Sequence, residues 1–392
     1  MKILAVGGGS GGHVTPVLAV INELSRLDTN LQVQFVCDRA FETQSRGLMK
    51  HARTPVPVHV IRAGKLRRYH GVPLVRQLLD IPTVVRNLRD IAYIVIGFVQ
   101  SFVLLLRFKP DVVFAKGGYV CLPLGYAAKL LRIPLVIHDS DARPGLTNKL
   151  LGRFAQAIAT GSPLENYNYP AERSSYTGVP IDPAFHPFTE AEQRAARDTI
   201  GIVDIDKPLI VVTGGGLGAE SINTGMVMIG EQLLADGYAI YHVTGKKHYK
   251  RFKTQLPEHP DYHVVEFVYK DMATILGAAD VVISRGSATF LQELAALAMP
   301  TIIVPAEHLG DQVMNAEVYK KAEAALVVSD KDVRSGGELL VAIRQYQNDP
   351  KRTQKVTKRF HGFAKNDAAL DVAKLIVEAG SEDLYAVKGR DN

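Results

Sequence analysis

Short runs rich in valine and isoleucine alternate with longer helical patterns from one end of this chain to the other. That alternation restricts the fold more than any other feature. In the first half the runs are KILAVG (2–7), VQFVC (33–37), VPVHVI (56–61), DVVFAKG (111–117), PLVIHD (134–139) and AIATG (157–161). In the second they are PLIVVTGG (208–215), YAIYHVTG (238–245), HVVEFV (263–268), VVISRG (281–286), PTIIVP (300–305) and ALVV (325–328). Near-continuous apolarity is what parallel strands need when helices cover both faces of their sheet. Strand and helix in strict alternation then predict doubly wound α/β units. The pattern breaks at YTGVPIDPAFHPF (176–188), where Pro180, Pro183 and Pro187 prevent any element from running through. Two domains are expected, 1–180 and 181–365, and a helical pattern over 366–385 is free to return to the first.

The halves echo each other in their glycines. VGGGSGGH (6–13) leaves the first strand of one half and TGGGLGAESIN (213–223) the first strand of the other. Glycine admits positive φ and lets a ligand reach the backbone. At a strand-to-helix turn this opens unpaired N–H groups to an anion, phosphate or pyrophosphate above all. Gly7-x-Gly9-x-x-Gly12 also fits a dinucleotide fingerprint, and Asp38 after VQFVC offers the acidic residue such a site uses, so an NAD-dependent oxidoreductase stays open. His13 is bulky and titratable at the head of the following helix. Either it moves protons there or it merely caps the turn.

Lys and Arg number 46 against 40 Asp and Glu, a net charge of +6. The excess is concentrated. Arg62, Lys65, Arg67, Arg68, Arg76, Arg86 and Arg89 fall in one region with only Asp80 and Asp90 against them. IAYIVIGFVQSFVLLL (91–106) follows, shorter than the roughly 20 apolar residues that span a bilayer. It is read either as a helix buried in a core or as one lying at a membrane surface beside arginines that meet anionic lipid. Tryptophan is absent and aromatics do not interleave the arginines, which argues against nucleic acid. Cys37 and Cys121 lack metal spacing and exclude a disulfide framework, as suits a reducing cytoplasm. The first residues are too short and glycine-rich for a signal peptide.

A second constellation lies in SRGSATFLQELAALAMPTIIVPAEHLGDQVMNA (284–316). Arg285-Gly286-Ser287 ends a strand, and Glu293 falls one to two turns into the next helix. Gln312 and Asn315 are three apart, hence on one helical face. A carboxylate so placed can take both hydroxyls of a ribose, and Gln and Asn can hold sugar hydroxyls or amides. Each alone reads equally well as a solvated helix residue. Their common position at the carboxyl ends of adjacent strands favours the joint reading.

Several stretches, taken in order, resemble glycosyltransferase family 28 and its peptidoglycan N-acetylglucosaminyltransferases. They are GGSGGHVTP (8–16), GKLRRY (64–69), KPDVVFAKGGYV (109–120), GLTNK (145–149), GGGLGA (214–219) and residues 284–316. The resemblance implies a GT-B fold: two Rossmann-like doubly wound parallel-sheet domains facing across a cleft. It implies transfer of N-acetylglucosamine from UDP-N-acetylglucosamine, with inversion, to the C4 hydroxyl of undecaprenyl-linked N-acetylmuramyl peptide (lipid I to lipid II). No cofactor or essential metal is expected. The enzyme would sit peripherally on the cytoplasmic face of the cell membrane, against an anionic lipid surface. By the same resemblance Ser10, Gly11 and Gly12 lie at the donor diphosphate and His13 at the reacting hydroxyl. Gly117, Gly118 and Tyr119 form a second loop on the acceptor side, and Lys65, Arg67 and Arg68 belong to the acceptor and membrane surface. Gly214 to Gly218, Gly216 included, form a third loop at the pyrophosphate. Val268 holds uracil through its main chain, and the Ala288, Thr289, Phe290, Leu291, Gln292, Glu293 turn and helix binds the nucleoside. Glu293 takes the ribose, and Gln312 with Asn315 the hexosamine.

The chain departs from the family pattern at three places. Asp141, in HDSD (138–141), stands for a sugar-contacting asparagine, Asp182 in GVPID for an arginine, and Gly216 for a serine. Arg285 or Arg143 could supply the missing cation. These changes leave open a transferase with another UDP-sugar or glycolipid acceptor, a UDP-sugar epimerase, or a non-catalytic scaffold.

Overall fold

The computed structural model describes residues 1–8, 14–65, 80–215, 218–268 and 271–388, with backbone alone at 81–84 and 382–388. The chain forms two compact units. The first comprises residues 1–140, 144–180 and 367–392, the second residues 141–143 and 181–366.

The first unit carries β1 (Lys2–Val6), α1 (Thr15–Leu27), β2 (Gln32–Asp38), α2 (Glu42–Met49), β3 (Val58–Ile61) and α3 (Ile81–Phe108). After them come β4 (Val112–Ala115), α4 (Cys121–Leu130), β5 (Leu135–Asp139), α5 (Leu146–Leu151), β6 (Ala157–Thr160) and β7 (Ser174–Tyr176). The strands lie in the order β3-β2-β1-β4-β5-β6-β7, and the pairings are parallel throughout. Side chains alternate between two cores: Ile3 and Ala5 pack under α1, while Leu4 and Val6 face the core that α4 covers. β7 went unread in the sequence because Ser174-Ser175-Tyr176 is a half-exposed polar edge with no apolar run.

The second unit repeats the plan. It comprises α6 (Glu190–Thr199), β8 (Leu209–Thr213), α7 (Glu220–Ala235), β9 (Ala239–Val243), α8 (Tyr249–Phe252), β10 (Tyr262–Val265), α9 (Met272–Gly277) and β11 (Val281–Ser284). α10 (Ala288–Ala296), β12 (Thr301–Ile303), α11 (Gly310–Lys321), β13 (Leu326–Val327), α12 (Gly337–Asn348) and α13 (Pro350–His361) complete it. The parallel sheet runs β10-β9-β8-β11-β12-β13. The last helix, α14 (Ala368–Lys388), returns to the first unit, where Val372, Ala373, Ile376 and Ala379 close the core over α1.

In each sheet the order reverses once, between β1 and β4 and between β8 and β11. Beyond the carboxyl ends of strands at such a switch point, successive helices diverge and leave a crevice. The glycine loops after β1 and β4, and the turns after β8 and β11, all leave strands at these two points.

α3 bears on the core reading of residues 91–106. It is 28 residues long, and over the described side chains of 85–108 a narrow stripe of Asp90, Gly97, Ser101 and Leu105 is buried, with Phe98, Phe102, Leu104 and Phe108 partly buried against the domain core. The stripe meets the domain closely. A Cβ at Gly97 would lie 1.9 Å from the Arg62 carbonyl oxygen, and Gln100 accepts a hydrogen bond from the Arg62 amide at 2.7 Å. On the other side Val85, Leu88, Ile91, Val95, Val99 and Leu106 stand about half-exposed or more. The helix is therefore not a core helix. Val85–Phe108 is also long and apolar enough to cross a bilayer, which residues 91–106 alone are not.

Candidate active site

In the second unit the third glycine loop turns out of β8. Gly215 and Gly218 take positive φ (72° and 75°), and a Cβ at Gly218 would stand 2.4 Å from the Thr244 carbonyl oxygen. Only glycine fits there. The loop delivers the chain to α7, whose N-terminus no side chain caps. Its first N–H groups and dipole are accordingly suited to an anion.

The turn after β11 holds Arg285, Gly286 and Ser287 and opens α10. On this helix Glu293 is 8% exposed. Burial pushes its carboxyl up to about 8, and the nearby charge of Asp182 adds to the effect. Such a carboxyl is a ready partner for ribose hydroxyls. Ala288 and Phe290 are half-buried, Phe290 against the core below, and Thr289 is buried. Two residues of the same stretch face elsewhere. Leu291 is fully buried in the core, and Gln292 donates from Nε2 to the Phe363 carbonyl at 3.2 Å. Alternation around a helix sends i+3 and i+4 inward, so a six-residue stretch cannot all meet one ligand.

Gln312 and Asn315 do share α11, but they behave differently. Gln312 comes close to the β11 turn: a Cβ at Gly286 would lie 2.6 Å from its carbonyl oxygen, and its side-chain oxygen accepts from the Ala306 amide at 3.1 Å. Asn315 is 3% exposed and engaged on both ends of its amide. Nδ2 donates to Asp141 Oδ1 at 2.9 Å and to the Gly286 carbonyl at 3.0 Å, while Oδ1 accepts from the Ala142 amide at 2.7 Å. With its two N–H groups spent, Asn315 braces residues 141–143 instead of standing free for a sugar. Val268 is half-buried against the core at the edge of the described residues.

Arg285 is not a spare cation. Its guanidinium is bound to Asp330 Oδ1 at 2.5 Å, Ser221 Oγ at 2.9 Å and the Val304 carbonyl at 3.1 Å. Burial raises the Asp330 carboxyl, but the bonds from Ser221 and Arg285 outweigh it and hold the group below its ordinary range. This triad ties the first turn of α7 to the β11 turn. No motif marks Asp330, which lies 45 residues from its arginine. Arg143 is exposed.

In the first unit the second glycine loop follows β4. Gly117 and Gly118 have φ of 118° and 87°, and a Cβ at Gly118 would lie 2.0 Å from the Gly8 carbonyl oxygen. The two loops thus pack backbone on backbone. Half-buried Tyr119 has its phenol pushed up to about 12, chiefly by burial and then by the Asp38 carboxylate. Lys116, just before the loop, is 1% exposed and donates to Ser140 Oγ. The sequence marked this loop by its glycines and passed over the lysine beside them. Lys65 is exposed, one residue after Gly64 packs on the Asp90 carbonyl. Ser10, Gly11, Gly12, His13, Arg67, Arg68 and Gly216 lie outside the described residues. Among the described residues no group of three or more His, Cys, Asp or Glu is arranged to hold a metal ion.

Known proteins match this arrangement over nearly its whole length. The glycosyltransferase family 28 N-terminal domain matches residues 3–160 and the family's C-terminal domain residues 209–373. A protein of Halalkalibacterium halodurans is 31% identical over 383 residues, covering 96% of this chain and 99% of its own. One of Shouchella clausii is 35% identical over 339 residues, 85% of this chain and 87% of its own. The chain belongs to glycosyltransferase family 28. Both relatives are named UDP-N-acetylglucosamine--N-acetylmuramyl-(pentapeptide) pyrophosphoryl-undecaprenol N-acetylglucosamine transferase. Among solved structures, MurG of Acinetobacter baumannii superposes with a TM-score of 0.72 at 25% identity, covering 96% of this chain and 99% of that one. A UDP-GlcNAc 2-epimerase of Neisseria meningitidis bound to UDP-GlcNAc reaches a TM-score of 0.64 at 12% identity, over 96% and 100% of the two chains, a likeness of fold alone. The fold is GT-B, two Rossmann-like parallel-sheet domains.

Against the family 28 pattern, the departures gain a physical setting. Asp141 is held by Asn315, so acid in place of amide is met by an amide donor. Asp182 is exposed and accepts from the Ala184 amide at 2.9 Å. Its charge acts on Glu293 in the direction opposite to that of the family's arginine.

Proposed function

We propose that this family 28 glycosyltransferase moves N-acetylglucosamine from UDP-N-acetylglucosamine to the C4 hydroxyl of undecaprenyl-linked N-acetylmuramyl peptide, forming a β-glycoside in peptidoglycan synthesis. The observation that carries the reading is the 31% identity to a transferase of that name across 96% of the chain. The chemistry is direct displacement at the anomeric carbon through an oxocarbenium-like transition state, as in other glycosyl transfer. His13 takes the proton of the attacking hydroxyl, a role worth about 10²–10⁴-fold in rate. Uracil lies at Val268, the ribose on Glu293, the hexosamine by Gln312, and the diphosphate at the glycine-bounded helix ends, whose N–H groups meet the charge that develops on the leaving UDP.

The acceptor is a lipid, so the enzyme works at the cytoplasmic face of the cell membrane. The exposed apolar face of α3 supports this, together with exposed Arg86 and Arg89 on the same helix.

The test is transfer of labelled sugar from UDP-N-acetylglucosamine to a short-chain lipid-linked muramyl peptide, with UDP-glucose as control. Transfer is expected with the first donor and not the second. No label in lipid refutes the reading, and donor turnover without acceptor would replace it with a reaction on the UDP-sugar alone.

A further inference from the structure

The amino-terminal edge of the second sheet borders a cavity that has no part in the account above. It measures about 640 Å³, within the range of small-ligand sites. Pro208, Tyr238, Asp280 and Pro300, each standing just before β8, β9, β11 or β12, form its floor. It therefore lies at the opposite end of the strands from the glycine loop and the β11 turn. α13 forms one wall, which Gln354, Lys358 and His361 line at helical spacing.

Most polar groups around the cavity are already spent. The Tyr346 hydroxyl donates to the Thr301 carbonyl at 2.9 Å, and that of Tyr238 donates to Gln347 Oε1, so both tyrosines offer ring faces. Asp280 Oδ2 accepts from Arg197 at 2.6 Å and from the Leu209 amide at 2.7 Å, which answers its charge. Lys358 is different. It is exposed, and its ammonium enters no ion pair among the described residues, whereas Arg359 beside it is held by Glu323. Apolar rings around one unanswered cation suit an amphipathic anion.

Two elements join this cavity to the nucleoside side. β11 leaves it at Asp280 and Val281 and ends at the Arg285 turn. α10 departs from that turn, carries Glu293 and returns to Ala298, which lines the cavity. Ala298 holds a φ of 52°, a left-handed conformation that is strained for a residue with a Cβ. His361 donates from Nδ1 to the Ala295 carbonyl at 2.8 Å, in the last turn of the same helix. A ligand that touches His361 or Ala298 thus bears directly on the helix of Glu293.

We propose that this cavity is an effector site for a small amphipathic anion, an apolar ring body bearing one carboxylate, phosphate or sulfonate, and that its occupancy shifts nucleoside affinity through β11 and α10. Lys358 takes the anionic group, and the proline and tyrosine rings take the apolar body. The coupling rests on the reading of Glu293 as the ribose carboxyl.

The probe is the fluorescent dye anilinonaphthalene sulfonate, with neutral phenylnaphthylamine as its uncharged counterpart, each titrated into the full-length protein. Lys358→Glu reverses the charge and Gln354→Trp fills the cavity; both positions are exposed on α13, so neither change touches the core. The expected result is a saturable site for the sulfonate whose affinity falls roughly tenfold or more in each variant. The neutral dye should ignore Lys358→Glu and be excluded by Gln354→Trp. With the sulfonate bound, calorimetry should find uridine affinity changed by roughly fivefold in the wild type and unchanged in the variants, and uridine should shift the sulfonate's affinity by the same factor. Sulfonate affinity within about twofold of wild type in both variants overturns the inference and places the dye elsewhere, as on the exposed face of α3. Binding at the cavity that leaves uridine affinity unchanged overturns it as an effector site. A wild-type dimer in sedimentation that both variants abolish overturns it too, and gives the cavity to a second copy of this chain. A wild-type protein that binds no uridine removes the coupling together with the Glu293 reading.

Discussion

Replacing Glu293 with glutamine should change how stability and nucleoside binding depend on pH. The folded protein holds this carboxyl at about 8 against 4.5 for the free side chain, through burial first and the Asp182 charge second. At about 1.4 kcal/mol per pH unit, that gap amounts to roughly 5 kcal/mol between the two protonation states. Between the two values the folded protein keeps a proton that the unfolded chain has released. The group's contribution to stability is therefore complete below pH 4.5 and is lost as the pH climbs through 8. From pH 5 to 7.5 the wild-type unfolding free energy should drop by about 3 kcal/mol on this account. Urea unfolding at half-unit steps should show that slope in the wild type and a flat difference in Glu293→Gln. Binding supplies an independent readout. Ribose hydroxyls donate to the ionised form, so uridine should displace the proton. At pH 7 a group titrating near 8 is about nine-tenths protonated, and calorimetry in buffers of differing ionisation heat should find about 0.9 proton released per uridine. Uridine avoids the titrating phosphate of UDP. Parallel stability profiles for the two proteins, or binding without proton release, would refute the reasoning.

Asp182→Asn removes the like charge beside Glu293, so uridine should bind several-fold more tightly at pH 7 and the released-proton count should fall, both measured by the same calorimetry. Gly118→Ala puts a side chain at φ 87° with its Cβ 2.0 Å from the Gly8 carbonyl oxygen, and should cost about 2 kcal/mol or more in denaturant unfolding. His13→Ala should cut transfer by about 10²–10⁴-fold while UDP affinity stays unchanged; turnover like that of wild type would remove His13 from the mechanism. Val95→Glu with Val99→Glu, two sites on the bare face of α3, should abolish sedimentation with anionic liposomes and leave activity on a water-soluble acceptor intact.

How legible the molecule was depends on how local each cause is. A parallel strand covered on both faces writes itself as a run such as Leu209–Thr213, where every residue is buried, and so the two sheets could be read strand by strand. The exception is Ser174–Tyr176, an edge strand held by its partner β6 and not by its own apolarity. Periodicity fails at α3 for the opposite reason. Its apolar residues gather on one face, but that face is the exposed one, and the covered stripe is fixed by Gly97 meeting a carbonyl at residue 62. Glu293 could be proposed from its position alone, since a helix after a strand at the switch point presents its first two turns there. Asn315 is assigned to the hexosamine from sequence, and its bracing contacts are hidden there because its amide is claimed by Asp141 and Ala142, some 170 positions away. Asp38 was visible as an acid at a strand end, but only the fold shows that it caps the next turn and lies beside Tyr119.

The same distinction bears on how a chain that has lost a family cation can still hold a diphosphate. Asp182 replaces an arginine; of the two candidates for compensation, Arg285 is neutralised by Asp330, while Arg143 is exposed and stays a candidate. What the second unit offers is backbone. Gly215 and Gly218 bend the chain so that α7 begins without a side-chain cap, leaving N–H groups and about half a positive charge at the helix terminus. The Arg285 and Asp330 pair then has a different use. Through Ser221, in the first turn of α7, it fixes that helix end relative to the β11 turn from which α10 and Glu293 depart. A pair that is neutral overall cannot attract phosphate, but it can hold still the amides to which the proposed function gives that task. Binding of UDP should on this view depend weakly on salt, since fixed dipoles at close range are screened less than an exposed guanidinium.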